Sequence, residues 1–191
     1  MKAFFSKYSY SIIKMFVNQC AISIFGSVLA MATASAGNDI LTLVVSCFAI
    51  LFYLFLIYTM VWEVGAKDKI SVDVGKKTYR PHTGVFMALI ANIPNFLIAI
   101  VYTSVYSTMG TVAFSANTAA VTRIISVLIQ GMYLGTITTV SAAGKYLNHF
   151  WWTYFLITIP SIVTAWVAYI AGHKNFRVFA ALRKNQNDGI K

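Results

Sequence analysis

Long uncharged, largely apolar runs alternate along this chain with short stretches that carry most of its charge. The runs occupy residues 15–38, 40–62, 81–122, 124–144 and 150–172. Each is long enough to cross a hydrocarbon core of about 30 Å, which needs about 20 helical residues. None shows the strict alternation of barrel strands, so the pattern predicts helices. We therefore expect an all-α, polytopic transmembrane bundle with about five segments, near 15–36, 40–62, 84–106, 123–142 and 150–172.

Composition supports the same class. Hydrophobic residues make up 59% of the 191 positions and charged residues 10%, against about half and about a quarter in soluble domains. The formal net charge of +10 is explained by the Lys and Arg that cytoplasmic loops of membrane proteins collect. No basic stretch is interleaved with aromatic residues on a soluble domain, so we expect the lipid bilayer, and not nucleic acid, as partner. A multi-pass protein of a cell membrane, of the bacterial cytoplasmic type, is predicted.

The basic residues also predict the orientation. Three lysines precede the first segment, five Lys or Arg residues lie between 67 and 80, and five more follow the last segment. Because Lys and Arg mark cytoplasmic loops, all three groups are expected on the cytoplasmic side. Both termini would then be cytoplasmic, which requires an even number of full crossings, from four to six.

Five simple crossings conflict with this charge distribution, since they leave nine basic residues inside and six outside. A turn-back at Asn92-Ile93-Pro94-Asn95 leaves fourteen inside and one outside. A non-crossing segment at 124–142 gives thirteen and two, and dividing 81–122 into two short spans is a third solution. The sequence predicts even parity and leaves open whether 84–106 or 124–142 is the non-crossing segment.

A break is expected in the central segment in any case. Pro94 removes a backbone donor and clashes with the preceding turn, so it kinks or breaks a helix. Irregular backbone at membrane depth is tolerated where protein shields it, so the break should face inward, with Asn92 and Asn95 beside it. A single kinked helix and a re-entrant limb both fit this local sequence.

The leading functional hypothesis is a transport-type or solute-binding membrane subunit. Asn92, Asn95 and Gln130 are polar groups within apolar segments, and broken helices carry solute sites in transporters. Arg123 joins this candidate substrate-binding set because ionisable residues in membrane segments are often functional, although an arginine at a segment boundary also snorkels to the interface. No nucleotide-binding motif is present, so such a subunit is expected to act with partner subunits.

The alternative is an accessory or scaffold protein of a larger complex. Gly26, Ala30 and Ala34 recur every four residues in the first segment, and small residues let helices approach closely in lipid. This face is expected to pack within the bundle or to dock a partner. A hydrated polar cavity reaching Asn92 would favour the transport hypothesis, and a dry interior with an exposed small-residue groove would favour the scaffold.

Two polar stretches are predicted to contact lipid or a partner. The cytoplasmic loop 63–83 alternates apolar and polar residues before Gly75, which predicts a short hairpin. It carries Lys76, Lys77 and Arg80. The tail 173–191 is expected to form an amphipathic interfacial helix, with Lys174, Arg177 and Lys184 on its basic side.

No catalytic chemistry emerges from the remaining residues. All five acidic residues are expected in loops or the tail, and the three histidines are scattered, so no enzyme activity, metal site or cofactor is predicted. Cys20 and Cys47 fall at different depths of neighbouring antiparallel segments, too far apart for a disulfide.

Overall fold

The computed structural model describes residues 2–108, 121, 124–142, 144–150 and 152–176. Within these ranges the chain is almost entirely helical. The helices are α1 (Lys2–Ser35), α2 (Asp39–Asp73), α3 (Thr83–Ala91), α4 (Ile93–Thr108), α5 (Ile124–Thr139), α6 (Thr153–Leu156) and α7 (Ile159–His173). A two-residue antiparallel strand pair, β1 (Ser141–Ala142) with β2 (Lys145–Tyr146), and a 3-10 turn (Leu147–His149) connect α5 to α6.

Length and apolar composition qualify three of these helical segments to cross a membrane: Phe4–Ser35, Asp39–Asp73 and Thr153–His173. The bent pair Thr83–Ala91 and Ile93–Val101 makes a fourth candidate if it counts as one span. The predicted all-α class is therefore confirmed for the described chain, which has three to four candidate spans by length and composition.

The first two helices are longer than the sequence predicted. α1 begins at Lys2, well before residue 15, and α2 continues to Asp73. The hairpin predicted within 63–83 is wrong, because residues 63–73 belong to α2 and only 74–82 connect it to α3. Gly65 and Asp68 on this extension are buried, so tertiary packing outweighs the short alternating pattern that indicated strands.

The central segment is broken, as Pro94 predicted. Asn92 interrupts the helix, and α3 and α4 meet there at 47°. Pro94 lies in the first turn of α4, where a backbone N–H has no partner within its own helix, so proline removes no hydrogen bond from α4. α4 then extends to contact α6, on the opposite side of the break from α3.

α5 lies against both α1 and α2, and small residues allow this close approach. A Cβ atom on Gly131 would lie 2.7 Å from the Ser23 carbonyl oxygen, and one on Gly135 would lie 2.6 Å from that of Thr42. Gly26 of α1 allows the same close approach from the other side, since a Cβ atom on it would lie 2.7 Å from Met132 Cα. The groove between α1 and α2 is thus filled by α5.

α7 packs against α2 and α3 in the same manner. A Cβ on Gly65 would overlap the Tyr169 carbonyl oxygen, one on Gly172 that of Trp62, and one on Gly84 that of Ala165. These three contacts lie toward one end of the bundle, where α1 and α3 begin and where α2 and α7 end. We call it the Asp68 end, after the buried carboxylate described below.

Candidate functional site

Three interruptions of helical structure meet in the interior of the bundle. The first is Asn92, between α3 and α4. The second is a 3-10 turn at Gly131–Tyr133 within α5, and the third is the short connection between α6 and α7 at residues 157–158. Polar side chains from these breaks and from α1 and α2 surround one small space, and we call them the core cluster: Gln19, Tyr53, Asn92, Asn95, Gln130, Tyr133, Thr158 and Ser161.

The side chains of Asn92 and Asn95 form hydrogen bonds at the break between α3 and α4. Asn92 Nδ2 donates to the Ala88 carbonyl oxygen at 2.8 Å and to Ser161 Oγ at 3.1 Å. Asn95 Nδ2 donates to Asn92 Oδ1 at 2.7 Å. Asn92 and Asn95 thus lie in the interior at the break, where they are hydrogen-bonded to each other, and Asn92 is also bonded to Ser161 of α7.

The break in α5 is satisfied by side chains of the two long helices. Gln19 Nε2 and Ser23 Oγ both donate to the Ile129 carbonyl oxygen, at 3.0 and 2.7 Å. Ser46 Oγ donates to the Met132 carbonyl oxygen at 2.6 Å. Since buried backbone groups freed by a helix break need internal partners, these polar residues of α1 and α2 make the irregular turn possible.

Other groups of the same cluster are buried without a partner. Among the described residues, no hydrogen bond is made by Asn95 Oδ1, by Gln130 Oε1 or Nε2, or by the Tyr133 hydroxyl. Their residues are only 2%, 5% and 6% exposed. An unpaired buried polar group costs about 1–3 kcal/mol, so these four atoms are costly unless something else binds them.

The core cluster is closed in this conformation. The space that it surrounds does not accommodate a water molecule, so water does not satisfy the unpaired atoms here. Apolar side chains of Met132 and Ile157 complete the lining. A ligand would therefore have to be admitted by movement at the three breaks.

A second polar group, the Asp68 cluster, lies at the Asp68 end and consists of Lys7, Tyr8, Asp68, Lys77 and Tyr169. Asp68 is 1% exposed, and both of its oxygens are bound. Lys7 Nζ lies 2.8 Å from Oδ1, and Oδ2 accepts from Lys77 Nζ at 2.5 Å. Oδ2 also accepts from the Tyr8 hydroxyl at 2.5 Å and from the Tyr169 hydroxyl at 2.8 Å.

This cluster joins four parts of the chain: α1 through Lys7 and Tyr8, α2 through Asp68, the following loop through Lys77, and α7 through Tyr169. Lys77 Nζ also donates to the Tyr8 hydroxyl. Burial lowers the pKa of Lys77, although its hydrogen bond and its attraction to Asp68 oppose that change. Both oxygens of Asp68 are therefore paired, and its partners anchor α1, the loop and α7 to α2.

The structure brings three of the four predicted substrate-binding residues together: Asn92, Asn95 and Gln130. Arg123 lies outside the described residues. In the predicted packing set, Gly26 and Ala30 are buried and Gly26 faces α5, whereas Ala34 is exposed near the end of α1.

The predicted lipid or partner contacts divide into two groups. Lys76, Arg80 and Lys174 are exposed, as such a contact requires. Lys77 differs, because it is directed inward to Asp68. Arg177, Lys184 and the predicted tail helix from Arg177 onward lie outside the described residues.

Sequence reasoning missed Asp68, Gln19 and Ser161. Asp68 stands between Lys67 and Lys69, which indicates a solvated helix face or loop, and one of its partners, Tyr169, is 101 residues away. Gln19 carried a usable signal, since a carboxamide within an apolar run requires an interior partner. Ser161 carried none, because a single serine fits many environments.

Cys20 and Cys47 carry free thiols, the first half-buried and the second exposed. Within the described ranges, no three His, Cys, Asp or Glu side chains gather in a way that could hold a metal ion. Comparisons with protein-family models, with curated proteins and with solved structures found no match for this chain.

Proposed function

We propose that this protein is a transport-type or solute-binding subunit of a cell membrane, of the bacterial cytoplasmic type, and that the core cluster is its solute site. One observation carries the proposal. Three helix breaks converge on buried carboxamide and hydroxyl groups, and four polar atoms there have no partner in the described chain. Discontinuous helices with free polar groups near the middle of the bundle are the arrangement by which transporters hold solutes.

The energetic cost of these atoms supports a binding role over a purely structural one. An interior built only for stability would place apolar groups at Gln130 and Tyr133, because unpaired polar atoms destabilise the fold. The Asp68 carboxylate, both of whose oxygens are bound, shows that this chain does satisfy a buried polar group elsewhere. The free atoms of the core cluster are best explained by a ligand that pairs with them.

We further propose four full crossings, formed by α1, α2, the bent pair α3–α4, and α6–α7, with both termini cytoplasmic. The Asp68 cluster supports this topology, because it joins the first turns of α1 to the last turns of α7. α5 would be the non-crossing segment, since residues 124–139 extend only about 24 Å at 1.5 Å per residue. The Asp68 end would face the cytoplasm.

The accessory or scaffold function remains the second candidate. The closed state of the core cluster, which leaves no room for water, is the observation that favours it. Against it, the groove beside Gly26 is occupied by Met132 of α5 and is not free for another subunit. Partner subunits are proposed under both functions.

The alkylation of an introduced cysteine tests the proposal. In a Cys20→Ala, Cys47→Ala background, Thr158→Cys places a small thiol in the lining of the core cluster. Ala168→Cys is the matched control, because it lies in α7, the helix that directly follows Thr158, is fully buried and belongs to the apolar core near the Asp68 end. Ser141→Cys, on the exposed strand β1, gives the rate for a free surface.

We expect iodoacetamide to alkylate Thr158→Cys in membranes at least about tenfold faster than Ala168→Cys, since a solute site must open to water. A difference of that size corresponds to about 1.4 kcal/mol in opening free energy. Equal, very slow rates at both positions would refute the solute site and favour the dry scaffold.

A further inference from the structure

We propose that the core cluster selects a small uncharged solute that carries both hydrogen-bond donors and acceptors, of the primary amide or polyol class. This inference rests on the proposed solute-binding function. It adds the chemical class of the ligand, which follows from the charge, the free atoms and the size of the site.

The described lining of the core cluster carries no charge that could balance an ion. Every described side chain that lines the core cluster is neutral, and an ion moved into a low-dielectric interior needs a compensating charge to offset its lost hydration. Asp68 does not supply that charge, because Lys7 and Lys77 already bind its two oxygens. The described site therefore disfavours anions and cations alike.

The free atoms specify the hydrogen-bonding pattern of the ligand. Gln130 offers an unpaired amide donor and an unpaired carbonyl acceptor on one planar group, and a second carboxamide matches this pair side by side. Asn95 Oδ1 requires a donor, and the Tyr133 hydroxyl serves as either donor or acceptor. A ligand with donors alone or acceptors alone would leave some of these atoms unpaired.

The closed packing of the site favours a small ligand over a large one. The closed cluster leaves no room for water, so each ligand atom must be accommodated by displacement at the breaks. The rings of Tyr53 and Tyr133 and the side chain of Met132 offer apolar surface to the carbon atoms of the solute. Because each further ligand atom requires more displacement of the lining residues, we expect a short amide or a small polyol and not a large sugar.

Two alkylating reagents of nearly the same shape test the charge preference. Iodoacetamide is neutral and iodoacetate is an anion, and the ratio of their rates on Ser141→Cys corrects for their intrinsic reactivity. Relative to that ratio, we expect Thr158→Cys to prefer iodoacetamide by more than about tenfold, or about 1.4 kcal/mol. An unchanged ratio would overturn the neutral selectivity.

Protection by unreactive analogues tests the ligand class. Acetamide or glycerol is expected to slow the alkylation of Thr158→Cys by iodoacetamide, whereas acetate and acetamidinium leave it unchanged. Protection by either ion, or by neither neutral compound, would overturn the inference. In the Thr158→Cys, Gln130→Met double variant the protection by acetamide should be lost while iodoacetamide still reacts.

Different results would refute the existence of the solute site and its selectivity for neutral compounds. If Thr158→Cys reacts no faster than Ala168→Cys with either reagent, the solute site itself is absent. If Thr158→Cys reacts readily but without preference between neutral and charged compounds, the site exists and its selectivity is wrong.

Discussion

The Asp68 cluster and the core cluster are both buried and polar, yet they differ in how completely their groups are paired. Asp68 carries a full charge, and both of its oxygens are bound by residues from three other parts of the chain. Gln130 carries no charge, and neither of its amide atoms is bound within the described chain. The Asp68 carboxylate, whose burial is more costly, is thus hydrogen-bonded, whereas the neutral Gln130 amide is not.

This difference separates a structural role from a binding role. A buried charge without partners would cost several kcal/mol, so its pairing is required for the fold. An unpaired carboxamide costs about 1–3 kcal/mol. A bundle whose helices pack closely at glycines can tolerate this loss of stability. The Asp68 end would then hold the helices together, while the core cluster keeps unpaired hydrogen-bond donors and acceptors for a ligand.

Removing the charge at the Asp68 cluster should have the largest effect. Asp68→Asn leaves Lys77, whose side chain is 20% exposed, without its carboxylate, and breaking a buried ion pair costs about 3–5 kcal/mol. Thermal unfolding in detergent should show a strong decrease in stability or a failure to fold.

Glu63→Gln is the matched control for Asp68→Asn. It breaks the Glu63–Lys67 pair of the same helix, whose side chains are 60% and 72% exposed. An exposed pair of this kind contributes about 0.3–0.5 kcal/mol. Equal losses in the two variants would refute the role of Asp68 as the buried anchor.

Asn92→Leu should have an intermediate effect. It removes the hydrogen bonds to the Ala88 carbonyl oxygen and to Ser161, and it leaves Asn95 Nδ2 without its acceptor. We expect a loss of about 1–3 kcal/mol in the free energy of unfolding.

Thr103→Val on α4 controls for the loss of a polar side chain, since its hydroxyl donates only to the Ala99 carbonyl oxygen of its own helix. That change should cost less than about 0.5 kcal/mol. If Asn92→Leu is as mild as Thr103→Val, the hydrogen-bonded break does not stabilise the bundle.

Gln130→Met should have the smallest effect and the opposite sign. It replaces two unpaired polar atoms by an apolar group of similar length, so the free energy of unfolding should stay unchanged or rise by about 1 kcal/mol. The same substitution at Gln19 is the control, because Gln19 donates to the Ile129 carbonyl oxygen and accepts from the Tyr53 hydroxyl at 3.3 Å. Gln19→Met should destabilise by about 1–2 kcal/mol.

Equal destabilisation by Gln130→Met and Gln19→Met would show that Gln130 is as well paired as Gln19. The core cluster would then be a paired structural network like the Asp68 cluster, and not a binding site.

Local sequence was sufficient to identify the helical class and three of the eight residues of the core cluster. Asn92, Asn95 and Gln130 stand out because they are carboxamides within apolar runs, where lipid cannot satisfy them. The break beside Pro94 follows from proline geometry. These features depend on neighbours within a few residues, so the chain reveals them without a structure.

The Asp68 cluster depends on distant contacts and was not predictable. The lysines at 67 and 69 make the surroundings of Asp68 resemble a solvated surface, whereas its burial requires α1, the loop at Lys77 and α7 to meet there. The same contacts extend α2 through residues 63–73, where the local alternation indicated a hairpin. Long-range packing outweighs local pattern at both places.

Amide hydrogen exchange of the intact protein in lipid nanodiscs tests the contrast between the two clusters most directly. Peptides covering 128–136 report the break in α5, and peptides covering 60–70 report the packing beside Asp68. We expect faster exchange at 128–136, because a solute site opens by local movement while the helices joined at Asp68 stay closed. Equal exchange at the two regions, or faster exchange at 60–70, would contradict the assignment of the core cluster as the part of the bundle that opens.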